Sequence, residues 1–200
     1  KDNQLIEILK EKFNDKIILI NKDILEISEK KLSKNKLTVF GNLPYNISTQ
    51  ILVKWILNLS SNSWFDKLVL MFQKEVADRI VSNFNTSSYG RLSIISNWKL
   101  DIKKVIDISP NSFKPRPKVK SSVLIFTPKN DYPKLKNSQS LEKVTRIFFN
   151  QRRKKIKKPL NQLFKDSDTI AKKLGIDLNL RPQNLEFKDY YLIAKQLEDS

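Results

Sequence analysis

Four consecutive residues, Asn42-Leu43-Pro44-Tyr45, carry groups that suit chemistry on the exocyclic amine of a purine. Such an amine is a poor nucleophile because its lone pair is delocalised into the ring. Two acceptors on its N–H groups favour a pyramidal nitrogen, and the Asn42 side-chain oxygen and the Leu43 carbonyl can supply them. Pro44 removes a competing N–H, and Tyr45 offers a flat face on which a base can stack. These four are candidate catalytic residues; the alternative is a strand-to-loop turn with Asn and Pro as turn formers.

The residues on either side predict how this segment is positioned. Leu37 to Phe40 is apolar or β-branched throughout, which predicts a strand buried on both faces. Ser48 or Thr49 can cap a helix over 49–59, whose apolar residues recur at helical spacing. The four candidates therefore lie at the carboxyl end of a parallel strand, where ligands bind in open α/β sheets.

A second strand is predicted earlier in the chain. The apolar run 17–20 is typical of a buried parallel strand, which would place Asp23 at its carboxyl end. There the carboxylate could accept a hydrogen bond from the adenine amino group of a nucleoside cofactor. The alternative, stronger for Asp23 alone, is that it caps the turn or helix beginning at Ile24.

A proline-rich connector supplies a second aromatic candidate. Segments 102–108 and 121–127 predict two strands with no helix between them, so the pair is expected to be antiparallel. Pro115 and Pro117 are expected to hold the connector extended. An exposed Phe113 among basic residues suits base stacking with phosphate neutralisation. The basic residues are Lys114, Arg116 and Lys118. The alternative is a rigid loop whose Phe113 lies in the core.

The remaining pattern indicates an α/β unit followed by helices. Strand 68–72 and the helices over 2–13, 73–81 and up to about Trp98 predict a doubly wound parallel sheet. Beyond a polar linker the pattern is helical, over about 141–150, 155–165, 167–174 and 187–197. We therefore divide the chain into a partial catalytic domain (1–130), a linker (131–140) and a basic helical RNA-binding domain (141–200). Four consecutive basic residues form its candidate RNA contacts: Arg152, Arg153, Lys154 and Lys155.

The composition limits the possible partners and chemistries. The 200 residues carry 38 Lys+Arg against 21 Asp+Glu, a formal net charge of +17, which favours a polyanionic partner such as RNA. The chain has no cysteine or histidine, which excludes thiolate or imidazole metal sites and Ser-His or Cys-His catalysis. No apolar run approaches the roughly 20 residues of a membrane-spanning helix. We expect a cytoplasmic protein that needs no metal and no membrane.

Taken together, the motifs resemble those of the ribosomal RNA adenine N6,N6-dimethyltransferases, which use S-adenosyl-L-methionine. The similarity covers essentially the whole chain in five blocks: Asn42–Ser48; Gln73–Val76 with Arg79 and Tyr89–Ser93; Phe113–Val119 followed by Ser121 or Ser122; Gln151–Lys154; and Arg181–Leu185. Several ordered motifs are more specific than any one of them.

The resemblance implies roles for the candidate residues. Asn42 and the Leu43 carbonyl would hold the adenine N6, and Tyr45 and Phe113 would sandwich the base. Asp23 would bind the adenine of the cofactor, and Asn42 would also lie against the cofactor. The reaction would be methyl transfer from the sulfonium to N6, performed twice.

The resemblance also implies a fold and a substrate. The fold would be a Rossmann-like class I methyltransferase sheet with a small C-terminal helical domain. Leu43 and the blocks at 151–154 and 181–185 resemble the branch that acts on adjacent adenosines near the 3′ end of small-subunit RNA. We expect a monomer whose partner is the small ribosomal subunit and its rRNA.

Three alternatives stay open, and one departure from the family is expected. The alternatives are a large-subunit methylase of the macrolide-resistance branch, a non-catalytic RNA-binding assembly factor on the same fold, and a DNA adenine methyltransferase. The resemblance places a glycine-rich cofactor loop and an acidic ribose-binding residue before Lys1. We therefore expect a fragment that lacks the first strand–loop–helix unit and does not methylate alone.

Overall fold

The structure, a computed structural model, describes residues 2–200, the side chain of Asp15 excepted. The chain forms two compact units, one up to Asn35 and the other from Lys36 to Ser200. In the first unit, helix α1 spans Asn3–Phe13 and begins where the Asp2 carboxylate accepts the Leu5 N–H at 3.0 Å. Two short 3-10 turns follow, Asn14–Lys16 and Glu29–Lys31. The predicted helix over 2–13 is confirmed.

The second unit is built on a four-stranded mixed sheet. Its strands are β1 (Leu37–Asn42), β2 (Phe65–Gln73), β3 (Leu100–Ile108) and β4 (Ser121–Pro128), in the order β1-β2-β4-β3. Only β1 and β2 are parallel, because β4 runs antiparallel to both β2 and β3. The predicted antiparallel β3–β4 pair is confirmed, and the parallel part of the predicted sheet is present in the β1–β2 pair. Two consecutive strands that are joined without a crossover helix pair in the antiparallel direction.

Two strand predictions fail for the same physical reason. The run 17–20 forms no strand, and Ile18 is 93% exposed. Strand β1 is not buried on both faces, because its residues alternate between half-buried and exposed and Phe40 is 78% exposed. An apolar run becomes a buried strand only if neighbouring strands pair with its backbone and other elements cover its faces. Among the described strands, β1 pairs with β2 alone.

Seven helices are described in the second unit, and a central one packs against four of the others. They are α2 (Ser48–Leu57), α3 (Lys74–Val81), α4 (Arg91–Lys99), α5 (Ser138–Asn150), α6 (Lys157–Leu163), α7 (Ser167–Leu174) and α8 (Phe187–Glu198). Helix α4 contacts α2, α3, α5, α8 and strand β3. Its buried Trp98 donates to the Pro133 carbonyl at 2.8 Å, and the Tyr191 hydroxyl of α8 donates to the Ile94 carbonyl at 3.1 Å. The C-terminal helices are thereby fixed directly to the sheet-bearing part of the unit.

The helix predictions are confirmed in number and place, with one difference at the basic segment. Helix α6 begins at Lys157, so residues 151–156 form a turn between α5 and α6 rather than helical surface. No helix or strand spans 129–137, which agrees with an irregular connection before α5. The division into a catalytic and an RNA-binding domain stays a prediction.

Candidate active site at the ends of β1 and β2

The predicted catalytic residues meet at one cavity of about 390 Å³. Asn42 and Met71, near the ends of the parallel strands β1 and β2, are in register there. The cavity is lined by Asn42, Leu43, Pro44, Tyr45, Met71, Phe113, Lys114, Pro115 and Pro117. Sequence reasoning missed Met71, although a register match between two predicted parallel strands would have pointed to it. Two loops separated by about seventy residues of chain thus form one site.

The side-chain amide of Asn42 and the carbonyl of Leu43 accept no hydrogen bond from the described residues. Asn42 is exposed, and within residues 2–200 no hydrogen bond reaches its side-chain amide or the Leu43 carbonyl. The preceding Gly41 is closely packed: a Cβ there would lie 2.7 Å from Leu70 Cδ2 and 3.1 Å from Leu43 Cδ2, so a larger residue would displace these side chains. The glycine therefore lets the Leu43 side chain lie against the strand. Both acceptors stay available to a ligand.

Tyr45 is anchored at both ends by serine hydroxyls. The Ser48 hydroxyl donates to the Tyr45 carbonyl at 3.1 Å, and the Tyr45 hydroxyl shares a hydrogen bond of 2.7 Å with Ser121 Oγ. The predicted capping of α2 by Ser48 or Thr49 is wrong, because the N-cap position is Ile47 and makes no side-chain cap. Ser48, inside the first turn, fixes Tyr45 instead. Of the two serines after the Phe113 loop, Ser121 reaches the site.

Phe113 lines the cavity and is half-buried. Its burial therefore lies between the two predictions, an exposed ring and a ring in the core. Its connector is not extended throughout, because it opens with a 3-10 turn, Pro110–Ser112, capped by the Ser109 side chain. The Lys114–Pro115 peptide bond is cis. The three basic residues predicted to contact phosphate are exposed: Lys114, Arg116 and Lys118. The loop therefore combines an aromatic ring on the cavity with cationic side chains in solvent.

An ionic cluster braces α3 against the sheet beside this site. Asp78 contacts Lys74 at 2.5 Å and Lys104 at 3.0 Å, and Lys104 contacts Asp107 at 2.8 Å. The hydrogen bond from Lys74 lowers the pKa of Asp78, and the hydrogen bond to Asp107 raises the pKa of Lys104. Asp107 has a lowered pKa because it accepts from Lys104 and also from Ser122, at 2.6 Å. These shifts favour the ionised forms of Asp78, Lys104 and Asp107.

Asp23 lies in the first unit, where it shapes a turn. Its Oδ1 accepts the Leu25 N–H at 3.0 Å and its carbonyl accepts the Glu26 N–H at 3.0 Å. This is the turn-forming role that the sequence offered as the alternative. A role for Asp23 in binding a cofactor stays a prediction.

The basic residues at 152–155 differ from one another. Arg153, Lys154 and Lys155 are exposed, and Lys155 donates to the Asn179 side chain at 2.8 Å. Arg152 is half-buried, and its guanidinium donates to Gln183 Oε1 at 3.2 Å and to the carbonyls of Thr86 and Ser87. It thus ties the loop before α4 to the segment before α8. The structure gives Arg152 a structural role that sequence spacing did not reveal.

We expect Arg152→Ala to lower the stability of the protein, because it removes charge-assisted hydrogen bonds to otherwise fixed acceptors. The loss should be about 2 kcal/mol, which corresponds to a melting temperature lower by about 4–8 °C for a chain of this size. Thermal unfolding followed by circular dichroism measures it. The matched control Arg153→Ala, at an exposed position, should shift the melting temperature by less than about 2 °C. Equal shifts for the two variants would contradict the structural role.

Solved structures identify the class to which this fold belongs. A dimethyladenosine transferase from Plasmodium falciparum matches with a TM-score of 0.72 at 23% identity, covering 94% of this chain and 75% of that one. The 23S rRNA methyltransferase ErmE matches with a TM-score of 0.64 at 20% identity, covering 100% of this chain and 80% of that one. The fold is that of the Rossmann-like methyltransferases, and the predicted α/β class is confirmed.

Sequence comparison identifies the family. Residues 1–199 match the model of ribosomal RNA adenine dimethylase, and the chain belongs to that family. A protein of Pelagibacter ubique is 63% identical over 199 residues, which are 100% of this chain and 76% of the relative. One from Ehrlichia ruminantium is 40% identical, over 97% of this chain and 74% of the relative. Both relatives are named ribosomal RNA small subunit methyltransferase A. The predicted family and enzyme class are confirmed.

Metal-ligand clusters and membrane-spanning helices are both absent from residues 2–200. No group of three or more acidic residues is placed to hold a metal ion. No helix in the same range is long and apolar enough to cross a membrane.

Proposed function

We propose that this protein dimethylates N6 of two adjacent adenosines near the 3′ end of small-subunit ribosomal RNA, with S-adenosyl-L-methionine as the methyl donor. One observation carries the proposal: an amide and a carbonyl that have no hydrogen-bond partner among the described residues line a single cavity with two aromatic rings, at the end of a parallel strand. The small-subunit branch is supported by the names of the relatives, one of them 63% identical. We also propose that it acts as a monomer in the cytoplasm.

The residues of the cavity fit a methyl donor and an adenine together. Asn42 offers its amide beside the apolar Met71, and the only cationic side chain among the described lining residues is the exposed Lys114. We assign Asn42 to holding the cofactor, and for Asp23 the same role is proposed from the family resemblance alone. When bound, S-adenosyl-L-methionine supplies an electrophilic methyl group on its sulfonium.

The acceptors prepare the amine for attack. Asn42 Oδ1 accepts one N6–H of the adenine and the Leu43 carbonyl accepts the other, which localises the lone pair on nitrogen. Tyr45 and Phe113 would stack on the base and orient N6 toward a bound methyl donor. After transfer the nitrogen is cationic and acidic, so it loses a proton to water without a protein base. The monomethylated amine keeps one N–H, and one acceptor is then enough to orient it for the second transfer.

The basic surface supplies affinity for RNA. Lys114, Arg116 and Lys118 lie in the loop that carries Phe113, while Arg153, Lys154 and Lys155 form a second group at the turn before α6. Such side chains bind phosphate irrespective of sequence and release counterions. We propose that they set the affinity for the subunit and that Asn42 to Tyr45 select the adenine.

Labelled-methyl transfer tests the proposal. The protein used is the full-length protein that contains residues 1–200, referred to below as the completed chain. It is offered labelled S-adenosyl-L-methionine with unmethylated small subunits or, separately, with large-subunit RNA, and the product nucleoside is identified after digestion. We expect N6,N6-dimethyladenosine in the small-subunit sample alone.

Each other outcome of this experiment has a distinct meaning. Label in large-subunit RNA alone would place the protein in the macrolide-resistance branch. Tight binding of small subunits with no label anywhere would make it an RNA-binding assembly factor on a methyltransferase fold. Either result would overturn the proposed function.

A further inference from the structure

The hydrogen bond between Tyr45 and Ser121 joins a residue of the cavity to a rigid part of the sheet. Ser121 is completely buried and begins β4, where it is in register with Gln73 of β2 and with Ile108 of β3. Its backbone is therefore fixed from both sides by the sheet. Its hydroxyl lies 2.7 Å from the Tyr45 hydroxyl.

Tyr45 needs such a support because packing alone does not fix its ring. Tyr45 is half-buried in a short loop, and its ring borders an open cavity. The Ser48 hydroxyl holds its backbone carbonyl, at 3.1 Å, but leaves the side-chain torsions free. The bond to Ser121 fixes the far end of the ring, so both ends of the residue are held. A rigid ring presents one face to a base without losing rotational freedom on binding.

We propose that Ser121 is a positioning residue, which holds the Tyr45 ring at the angle at which it stacks on the target adenine. The inference rests on the proposed function, since it assumes that Tyr45 receives the base. It also means that the Tyr45 hydroxyl is committed to the protein and takes no part in proton transfer. Ser121 acts through Tyr45 and does not touch the substrate.

Three variants of the completed chain test the proposal. Ser121→Ala and Tyr45→Phe each remove one partner of the bond and keep the rest of the side chain. Each should lower the turnover of methyl transfer about fivefold, roughly the factor that one neutral hydrogen bond supplies, with little change in KM. The double variant should be no slower than either single one, because the same bond is lost once.

The neighbouring Ser122 provides a matched control. It is also completely buried in β4, but its hydroxyl donates to Asp107 at 2.6 Å. Ser122→Ala should keep turnover within about twofold of the unmodified protein, whatever its effect on stability. Equal turnover losses for Ser121→Ala and Ser122→Ala would overturn the proposal. A double variant slowed about 25-fold, the product of two independent fivefold losses, would also overturn it.

A readout independent of catalysis separates this inference from the proposed function. In protein labelled with fluorotyrosine, the Tyr45 signal in the ¹⁹F NMR spectrum is identified by its loss in Tyr45→Phe. Ser121→Ala should shift and broaden this signal, whereas Ser122→Ala should leave it unchanged. An unaltered Tyr45 signal in Ser121→Ala would overturn the inference even if methyl transfer occurs. If the unmodified protein methylates no substrate, the proposed function fails. The NMR result then still tests whether Ser121 holds the Tyr45 ring.

Discussion

Replacing Asn42 by alanine should reduce methyl transfer by the completed chain about 100-fold or more, while small-subunit binding changes little. The Asn42 amide is exposed at the end of β1 and has no partner among the described residues, so its loss leaves the protein fold intact. What is lost is an acceptor that polarises the reacting amine, and single groups of this kind typically contribute a factor of about 100 to 1,000. Single-turnover methyl transfer and filter binding measure the two effects.

The variant Asn42→Asp separates the acceptor role from the donor role of the amide. A carboxylate keeps an acceptor oxygen at the same position but has no N–H to donate. We therefore expect Asn42→Asp to retain clearly more activity than Asn42→Ala. Activity as low as that of the alanine variant would show that the N–H of the amide, or its neutrality, is what the site needs.

The second large effect is expected at the exposed basic turn before α6. Changing Arg153, Lys154 and Lys155 to glutamine removes three cations that face solvent. If each neutralises one phosphate, the slope of log K against log salt should become shallower by about 2 to 3 units. Affinity for small subunits at low salt should fall accordingly. Equilibrium binding across a series of salt concentrations gives both quantities.

A matched control removes the same charge elsewhere on the C-terminal helices. Lys165, Lys172 and Lys173 are equally exposed, and their replacement by glutamine lowers the net charge by the same amount. We expect this variant to keep nearly the full salt slope. Equal flattening of the slope by both triple variants would mean that the overall positive charge of the protein drives RNA binding. The turn before α6 would then make no specific phosphate contacts.

Short-range patterns in the sequence were enough to predict most of the secondary structure and the residues that line the candidate site. Helical spacing correctly predicted α1 and the helices of the C-terminal part, because an amphipathic pattern depends on near neighbours. The antiparallel β3–β4 pair followed from the absence of a helix between two apolar segments. Asn42, Leu43, Pro44, Tyr45 and Phe113 were found from residue chemistry, and the structure brings them to one cavity. Their catalytic roles stay predictions for the variants above.

Partners distant in the chain decided the rest, because burial and hydrogen bonding depend on what an element packs against. The apolar run 17–20 forms no strand, since apolar character alone does not supply a neighbour for its backbone. Arg152 looks like its basic neighbours in sequence, yet carbonyls 65 and 66 residues away bind its guanidinium. Ser48 has the residue type of a helix cap but holds Tyr45, and Ser121 reaches Tyr45 across 76 residues. The sequence by itself determined which residues could do the chemistry, and only the tertiary structure decided which residues hold them in place.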